Sequence, residues 1–371
     1  MGWQETVASD EWLTAVRASV RTIGARVEVV NGDGVHQADL PVDSVQVTMQ
    51  GESSEMWGAR FALSDRAYVP LRSTDVLDPR SGMRARVWWR VRAADGSWME
   101  VPVGTYMLED PEISAGGTLA YTLDGLDPLA EAKRGGYSGA TLDLGGMTVT
   151  QALSAIFASV APRMPLRIPD SSVLMPAVYV VGEQEPASDW ADIAAMAGWV
   201  VRTDREGVVH VGPPAAPEVT RESWQEGEAG CVVLDVRRNL KTSSIVNRVV
   251  CTSTSTEVTI PIREVVEDDD PGSATWVGAY GPYETVIRSD KITTVEAARN
   301  MARATFERWR RPQETVEVQI PPRPDLDFGD LIAMGFGDPG VAGLYRVSSW
   351  SWTASPNPQP MRLTMMTRAA A

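Results

Sequence analysis

Three carboxylates lie close together in the segment PDLDFGDLIAM, which contains Asp325, Asp327 and Asp330. Such spacing could serve a bound cation or a pair of carboxylates for acid–base catalysis. A calcium loop needs further oxygen ligands at fixed positions, and this segment lacks them. The adjacent Phe328 and Gly329 are typical of a turn, in which an aspartate such as Asp330 accepts hydrogen bonds from nearby amides. The sequence therefore favours a turn, with a metal or acid–base site as the alternative.

A second acidic segment is the run Glu267, Asp268, Asp269 and Asp270, which precedes a Pro-Gly pair. Four adjacent carboxylates repel one another and favour contact with water, so the run predicts an exposed loop. Long loops often carry binding surfaces. The run is therefore also the candidate functional site of this sequence, as a loop that faces a partner protein or the lumen of an assembly.

The segment GFGDPG at residues 335–340 matches the glycine pattern of dinucleotide-binding loops. That pattern must open a helix, because the free amides of the helix bind the pyrophosphate. Here Pro339 interrupts the segment and the strand-like stretch GLYRVSSW follows it. The segment therefore predicts a hairpin loop.

Few residues are available for nucleophilic or metal chemistry. The chain contains two histidines, His36 and His210, and two cysteines, Cys231 and Cys251. Neither histidine lies in a nucleophile motif, and the four residues lack the spacing of a zinc site. The sequence thus predicts no catalytic residue, no metal and no cofactor, and we expect a protein that is not an enzyme.

Net charge limits the class of function. The chain of 371 residues has a formal net charge of −15 at pH 7. A surface of that sign repels phosphate, which argues against sequence-independent nucleic-acid binding as the main activity. The first residues lack the apolar core of a signal peptide and no apolar run is long enough to span a bilayer, so we expect synthesis in a cytoplasm and no membrane insertion.

Tryptophan is unusually frequent, with 13 residues against 5 phenylalanines. Most of them occupy alternating strand positions or helix stripes, and examples are Trp88, Trp98, Trp309, Trp350 and Trp352. Because tryptophan is enriched in cores and where proteins meet, these positions favour a core or subunit-interface role. Contact with carbohydrate is the alternative.

The clearest single element is an amphipathic helix. Thr293 offers an N-cap hydroxyl and Glu296 can complete a capping box, while Pro312 cannot continue the helix. Its apolar stripe consists of Val295, Ala298, Ala302, Phe306 and Trp309. After it, the alternation in TVEVQI predicts a strand that buries its valines and isoleucine, and three more strands are expected to form a meander.

Hairpins and short helices are predicted before that helix. Turns at Asp95-Gly96 and Gly116-Gly117 should each join two strands, and the turn NGDG at residues 31–34 should pair ARVEVV with SVQVTM. Three helices are predicted to begin at Ser9, at a capping box of Thr148 and Gln151, and at Ser188, the last with Gly198 just past its end.

These patterns divide the chain into three predicted domains. Residues 1–130 are expected to be mostly β, residues 131–230 to form a smaller α+β domain, and residues 231–371 to hold the amphipathic helix and its meander. The fold class is therefore α+β and mostly β.

The order of these motifs resembles the tail-hub proteins of bacteriophages, also called baseplate-hub or tail-associated proteins. The likeness rests on PVGTYMLED and LDGLDPLAEA in the first domain, and on Asn247-Arg248-Val249 and the capped helix with its Gly-Asp turn in the last. It implies a structural homotrimer at the tail tip of the virion, a ring around a channel that DNA crosses without specific binding. It also implies a distal tail protein and tail tube above the ring, and tip or fibre proteins below it.

A likeness inside the chain supports the same interpretation. Pro79 to Gly82 leads into a strand, a hairpin and then GTYML, whereas Pro324 to Gly329 leads into a strand, a loop and then GLYRV. With the tail-hub resemblance, it predicts two related antiparallel β-barrel domains that flank the α+β domain. Three chains would then present six similar modules to a six-fold tube, around an inner wall expected to be acidic.

Two other functions stay open. One is a cell-wall-acting or sugar-binding tail protein with hydrolase activity. The last predicted strand lies close to Ala371, so we expect no added hydrolase domain. The other is the six-fold distal tail protein, which only an observation of the assembly would separate from a hub.

Overall fold

The computed structural model describes residues 9–18, 21–51, 55–116, 118–137, 141–182, 185–213, 220–227, 233–241, 245–254, 260–273, 275–289, 292, 295–309, 313–357 and 359–367. The chain forms two compact units. Unit 1 comprises Met1–Val236 with Val318–Met365, and unit 2 comprises Arg237–Glu317 with Met366–Ala371. The predicted domain boundaries at 130 and 230 divide the chain differently and stay a prediction.

The described elements are mostly strands. The helices are α1 (Asp10–Arg17), α2 (Leu129–Arg134), α3 (Val149–Val160), α4 (Pro186–Met196), α5 (Val277–Tyr280) and α6 (Val295–Trp309). The first strands are β1 (Ile23–Val30), β2 (His36–Leu40), β3 (Ser44–Gln50), β4 (Trp57–Leu63), β5 (Arg84–Arg92), β6 (Trp98–Gly116) and β7 (Thr118–Leu126). Next come β8 (Leu142–Asp143), β9 (Leu166–Arg167), β10 (Val180–Val181), β11 (Val200–Thr203), β12 (Val209–Gly212), β13 (Thr220–Gln225) and β14 (Asp235–Lys241). The last are β15 (Arg248–Ser253), β16 (Arg263–Glu267), β17 (Glu284–Ser289), β18 (Gln313–Ile320), β19 (Leu331–Phe336), β20 (Val341–Ala354) and β21 (Met361–Thr367).

Local turn chemistry forms the predicted hairpins. Strands β5 and β6 pair up to Arg92 and Trp98, across a turn in which Gly96 has φ 86° and the Asp95 carboxylate accepts from the Ser97 amide at 2.8 Å. Strands β6 and β7 pair as far as Gly116 and Thr118. Strands β19 and β20 pair across the GFGDPG loop. These three hairpin predictions are confirmed.

The predicted pairing of ARVEVV with SVQVTM is wrong. Strand β1 pairs with β2 and β5, while β3 pairs with β4 and β20. The turn at residues 31–34 joins β1 to the short strand HQADL, and the Asn31 carboxamide oxygen accepts from the amides of Asp33 and Val35. Polar residues dominate HQADL, so no apolar alternation marks it as a strand.

The residues between β7 and β13 build a separate hydrophobic core within unit 1. Helices α3 and α4 contribute Phe157 and Trp190, whose rings stack with centroids 5.1 Å apart. The capping box of Thr148 and Gln151 is confirmed, with both reciprocal hydrogen bonds present. Helix α4 begins at Pro186, two residues before the predicted start, because proline suits the first turn of a helix. Gly198 follows its end with φ 69°.

Unit 2 contains a three-stranded sheet and the amphipathic helix. Strand β15 lies between β16, which is antiparallel to it, and β17, which is parallel. Helix α6 buries Ala298, Ala302 and Phe306 in one cluster with Val249 and Cys251 of β15, as the stripe predicts. At the start of that stripe, Val295 is 48% exposed. The capping box at Thr293, the Trp309 side chain and Pro312 lie outside the described residues.

One strand order occurs twice in the chain. The first module, defined as β3, β4, β5, β6 and β7, has the spatial order β3-β4-β7-β6-β5. The second module, defined as β14, β18, β19, β20 and β21, has the corresponding order β14-β18-β21-β20-β19. The connection from β3 to β4 is short, whereas the connection from β14 to β18 is long and contains the sheet and the helices of unit 2. The internal likeness seen in the sequence therefore extends to five strands.

The register of the two modules agrees as well. Gly82 and Gly329 have φ values of 72° and 91°, and each opens a hairpin strand. The fifth residue after Gly82 is Val87, which pairs with Gly104, and the fifth after Gly329 is Met334, which pairs with Gly343. The outer neighbours differ, because β1 is antiparallel to β5 and β13 is parallel to β19. The described strand pairs close neither module into a ring, so the two barrels stay a prediction.

None of the described helices has the length and apolar character needed to cross a membrane.

Valine at Gly104 should be strongly destabilising. A Cβ there would lie 2.3 Å from the Tyr106 hydroxyl oxygen, and Tyr106 is fully buried. Overpacking of this kind costs about 1–3 kcal/mol, which we expect as a lower melting temperature of Gly104→Val. The strand residue Gly212 meets no atom within 4 Å, so Gly212→Ala is the control. Equal melting of Gly104→Val and wild type would contradict the prediction.

Gly343 is also expected to be sensitive to substitution, for a different reason from Gly104. A Cβ at Gly343 meets nothing within 4 Å, but the residue has φ 134°, which residues with a side chain rarely adopt. Gly343→Val should therefore destabilise through backbone strain.

Candidate functional site

The two modules meet where β20 pairs with β3, over Ser349 to Ala354 and Gln50 to Val45. We call this ladder the joint. Just beyond it the Gly51 amide donates to the Ser348 carbonyl at 2.9 Å. A Cβ on Gly51 would lie 1.7 Å from the Phe328 ring, so only glycine allows the turn after Asp327 to approach this closely.

Two tryptophans pack against each other at the joint. Trp57 of β4 and Trp350 of β20 contact each other edge to face, with ring centroids 6.0 Å apart. The Trp350 indole N–H donates to the Leu326 carbonyl at 2.9 Å, and that of Trp57 donates to the Thr203 carbonyl at 2.9 Å. Each indole thus satisfies its donor on a different segment, which fixes both segments against the sheet.

Arg205, in the turn between β11 and β12, enters the same cluster and is only 2% exposed. Its guanidinium donates to the carbonyls of Pro102 at 3.1 Å and Leu326 at 3.0 Å, and also to that of Pro324. It forms an ion pair with Asp327 at 2.7 Å and lies 5.5 Å from the Trp57 ring centroid. One side chain therefore connects the β11–β12 hairpin, β6 and the turn before β19.

The three aspartates of PDLDFGDLIAM are all bound by arginines. Asp325 is fully buried and contacts Arg323 at 2.8 Å and Arg221 at 3.4 Å. Asp330 contacts Arg221 at 2.6 Å and accepts from the Asp327 amide at 2.8 Å. The predicted turn is confirmed. Guanidinium groups occupy the carboxylates, so a cation would have to displace them.

This charge network extends to the first helix. Glu222 of β13 contacts Arg323 at 3.0 Å and Arg17 of α1 at 2.9 Å. Arg323 and Glu222 are almost completely buried. Burying such ions is unfavourable unless each is paired and hydrogen-bonded, which makes the network sensitive to loss of any partner.

The charges of the network separate the pKa values of its carboxyl groups. Burial by itself raises the pKa of Asp325, but the positive charge and hydrogen bonds of Arg323 outweigh it and lower the pKa to about 2. Burial raises the pKa of Asp330, which Arg221 only partly offsets. Asp325 therefore stays ionised through the physiological range and holds the arginines in place.

A separate buried carboxylate, Asp127, ties the end of β7 to its surroundings. It accepts hydrogen bonds from the amides of Met56, Trp57 and Leu129 and from the Thr203 hydroxyl, at 3.0, 3.2, 2.9 and 2.6 Å. Burial nevertheless raises its pKa. Every donor belongs to the protein, so Asp127 is a structural anchor.

The acidic run at residues 267–270 has two different environments. Asp268 is buried, and it accepts from the hydroxyls of Ser273 at 2.5 Å and Thr275 at 2.6 Å. For Asp268 the predicted exposure to water is wrong, because these donors replace the water. Glu267 is exposed and pairs with Arg248 at 2.7 Å.

The other two members of the run, Asp269 and Asp270, are exposed. Asp270 accepts from the Gly272 amide at 2.8 Å, which is a local turn. Only three of the four carboxylates therefore offer a charged surface, and the role of the run as a loop facing a partner or a lumen stays a prediction.

Asn247 holds the base of this segment. It is fully buried, and its side-chain amide donates to the carbonyls of Thr275 at 2.8 Å and Gly281 at 2.7 Å. Its carboxamide oxygen accepts from the Tyr283 amide at 2.7 Å. Asparagine suits this position because its carboxamide donates and accepts at once.

The remaining candidates have structural surroundings. His210 contacts Asp204 at 2.7 Å. His36 lies near Glu28 and Asp39, three groups that could approach one ion, yet Glu28 already accepts from Arg26 at 2.8 Å and from the Trp88 indole at 2.9 Å. Those donors leave the cluster poorly suited to a metal.

The tryptophans fall into two groups. Trp350 and Trp352 are 3% and 2% exposed, which confirms the core prediction for them. Trp98 is 38% exposed and has the Arg90 guanidinium 4.5 Å from its ring centroid.

Sequence reasoning missed Arg205 and Gly51. Arg205 lies within DREG, a charged turn sequence that normally indicates exposure, and Gly51 follows a strand like many turn glycines. Both are explained by segments distant in sequence, so no local pattern identifies them.

The fold of this chain is similar to the folds of several solved phage tail proteins. The chain is similar to the tail protein from Neisseria meningitidis MC58, with a TM-score of 0.65, 14% identity, and 93% of this chain and 97% of that chain covered. It is also similar to the 43 kDa tail protein of prophage MuSo2 from Shewanella oneidensis, with a TM-score of 0.63, 12% identity, and 93% and 98% covered.

A third similar structure is the prophage tail protein gp18 from Listeria monocytogenes EGD-e, with a TM-score of 0.56, 13% identity, and 93% and 95% of the two chains covered. No family model and no curated protein matches the sequence. The likeness to tail proteins inferred from the sequence motifs is thereby confirmed for the fold.

Replacement of Arg205 should destabilise the protein. Arg205→Ala removes a donor from the carbonyls of Pro102 and Pro324 and breaks the ion pair with the partly exposed Asp327. A buried polar group left without its hydrogen bond costs about 1–3 kcal/mol. We expect that loss in the free energy of unfolding from urea titration. Arg202, half-buried on the same hairpin, is the control, and Arg202→Ala should change stability by about 0.5 kcal/mol or less. Similar values for the two variants would contradict the role of Arg205.

The contribution of Asp325 should depend on pH in a defined direction. Its pKa is lowered from 3.8 to about 2, so its stabilising effect is complete above 3.8 and is lost as the pH falls through about 2. The difference in unfolding free energy between wild type and Asp325→Asn should stay constant at neutral pH and shrink on acidification. Urea titrations at successive pH values measure it, with the exposed Asp33→Asn as control. A difference that grows in acid would contradict the assignment.

Proposed function

We propose that this protein is a structural tail-hub protein of a bacteriophage, in which three copies form a ring that joins the distal tail ring and tail tube to the tail tip. DNA would pass through the channel of that ring. The role is mechanical and architectural, without a chemical reaction. The tail-protein fold supports the general class, and the repeated strand order carries the particular assignment.

The repeat matters because a hub must connect parts of different symmetry. Three chains with two similar modules each would present six similar surfaces around one axis. Such a ring can contact a six-fold tube without leaving half of the tube's contacts unmade. A chain with a single module would offer three contacts only.

Net charge agrees with a channel for DNA. The formal charge of −15 supplies an excess of carboxylates, and a channel wall that repels phosphate lets DNA slide without being retained. The exposed carboxylates Glu267, Asp269 and Asp270 are candidates for a surface facing the lumen or a neighbouring tail protein. Tip or fibre proteins would bind the opposite side of the ring.

The oligomeric state tests the proposal. Light scattering coupled to gel filtration should give a mass about three times the 40.3 kDa of the chain, at least at the highest soluble concentration. Ring contacts normally bury much surface, so dilution should shift the protein towards monomer. A stable dimer or a ring of six chains would contradict the hub, and six chains would favour a distal tail protein.

The protein should not hydrolyse bacterial cell wall. The acidic residues closest to a catalytic arrangement, Asp325 and Asp330, are bound by Arg323 and Arg221, so neither can exchange protons freely with a substrate. Purified protein added to peptidoglycan should leave its turbidity unchanged, with lysozyme as positive control. Clearing that is abolished by Asp330→Asn would overturn the structural assignment.

A further inference from the structure

The joint between the modules has a counterpart that the single chain leaves open. Within the chain, β3 of the first module pairs with the second half of β20. The strand order places β14 where the first module has β3, and β6 where the second module has β20. The counterpart of the joint is therefore a pairing of β14 with the second half of β6.

The second halves of β6 and β20 are alike in detail. In β20 the first six residues pair with β19, and after Val347 the buried positions change from odd to even, at Trp350 and Trp352. In β6 the residues up to Met107 pair with β5, and the pairing with β7 then skips two residues between Glu109 and Glu112. Each strand therefore has an irregularity at a similar distance after Gly104 or Gly343, displaced by one residue between the two. Along one edge of β20, β19 pairs with the first part of the strand and β3 pairs with the second part.

No described strand occupies the corresponding edge of β6 beyond Met107, where β7 is the partner on the other side. Strand β14 likewise ends the order of the described sheet. Both segments are also exposed on both faces, because residues 111–114 and residues 237–240 are each exposed at every position. A strand normally buries one face, so these segments lack the cover that other strands of the modules have.

Charge and apolar side chains match across the two segments. The β6 segment carries Asp110 and Glu112, whereas β14 carries Arg237 and Arg238. Within the chain, Glu112 lies 3.6 Å from Arg60 and Arg238 pairs with Glu314 at 2.8 Å, so a second copy would add to these partners. Each also exposes one large aliphatic side chain, Ile113 at 46% and Leu240 at 47%. Opposite charges on two edges favour their association and disfavour the pairing of either edge with itself.

We infer that β14 of one copy pairs with residues 112–116 of β6 in the next copy, so that the sheet continues from chain to chain. This contact is heterologous, since it joins two different surfaces, and such contacts close into rings when the rotation between copies allows it. The inference rests on the proposed trimeric ring and adds the surface through which it closes. Pro111, which has no N–H, lies in the irregular part of β6 before this ladder and removes no bond from it.

Cysteine pairs test the contact directly. Asn239→Cys is combined in turn with Glu112→Cys, Ile113→Cys and Ser114→Cys, because the register between copies selects one of the three. A disulfide needs Cα atoms about 4.4–6.8 Å apart, a distance that opposite residues of adjacent strands satisfy. Each purified variant is oxidised at high concentration and run on a denaturing gel without reductant.

The matched control combines Asn239→Cys with Leu71→Cys, because Leu71 is 84% exposed and lies on a loop outside both edges. Asn239→Cys alone controls for the native Cys231 and Cys251. Melting temperatures close to that of wild type show that the variants are folded.

Covalent dimers and trimers in one of the three test pairs, with none in the controls, are the expected result. A chain that is trimeric by light scattering but cross-links in none of the three pairs overturns this contact and leaves the ring intact. A chain that stays monomeric and uncross-linked at the highest soluble concentration overturns the ring and the contact together.

Discussion

The ladder between β3 and β20 is the constraint on which the rest of unit 1 depends. It joins segments from the two ends of the chain, so the loop between them closes only when both modules are formed. Hydrogen bonds of the ladder alone would not resist slippage by one register. Trp57, Trp350 and Phe328 fill the space beside it, and the close approach at Gly51 allows no shifted arrangement.

Ionic groups around the joint act in the same direction. Arg205 donates to the carbonyls of Pro102 and Leu326, and Arg323 and Asp325 neutralise each other beside it. Buried ion pairs of this kind add little net stability compared with apolar residues of the same size. Their effect is specificity, since a misplaced turn would leave a full charge buried and unpaired.

Local patterns in the sequence predict the local structure well. The turns at Asp95 and Gly335, the capping box at Thr148 and the stripe of Ala298, Ala302 and Phe306 all appear where the sequence places them. Each depends on residues only a few positions apart. The sequence motifs also indicate the tail-protein fold, because their order along the chain reflects the order of elements.

Pairings between distant segments cannot be predicted from local sequence patterns. The polar composition of β2 gives no strand pattern. Strand β3 pairs with β4 and with the distant β20, and not with the nearby β1. The burial of Asp268 depends on hydroxyls supplied by Ser273 and Thr275, and that of Arg205 on carbonyls of remote turns. Both polar residues are buried because hydrogen-bond partners outside their own local pattern satisfy them, and composition alone does not identify those partners.

In the proposed ring of three chains, two versions of one five-stranded module would alternate around the axis. The most direct measurement is electron microscopy of the purified ring viewed along its axis, with the rotational power spectrum of the averaged image. A three-fold component together with a strong six-fold component is expected, since six similar modules would surround the channel. A spectrum without a six-fold component, or a ring of any other number of chains than three, would contradict it.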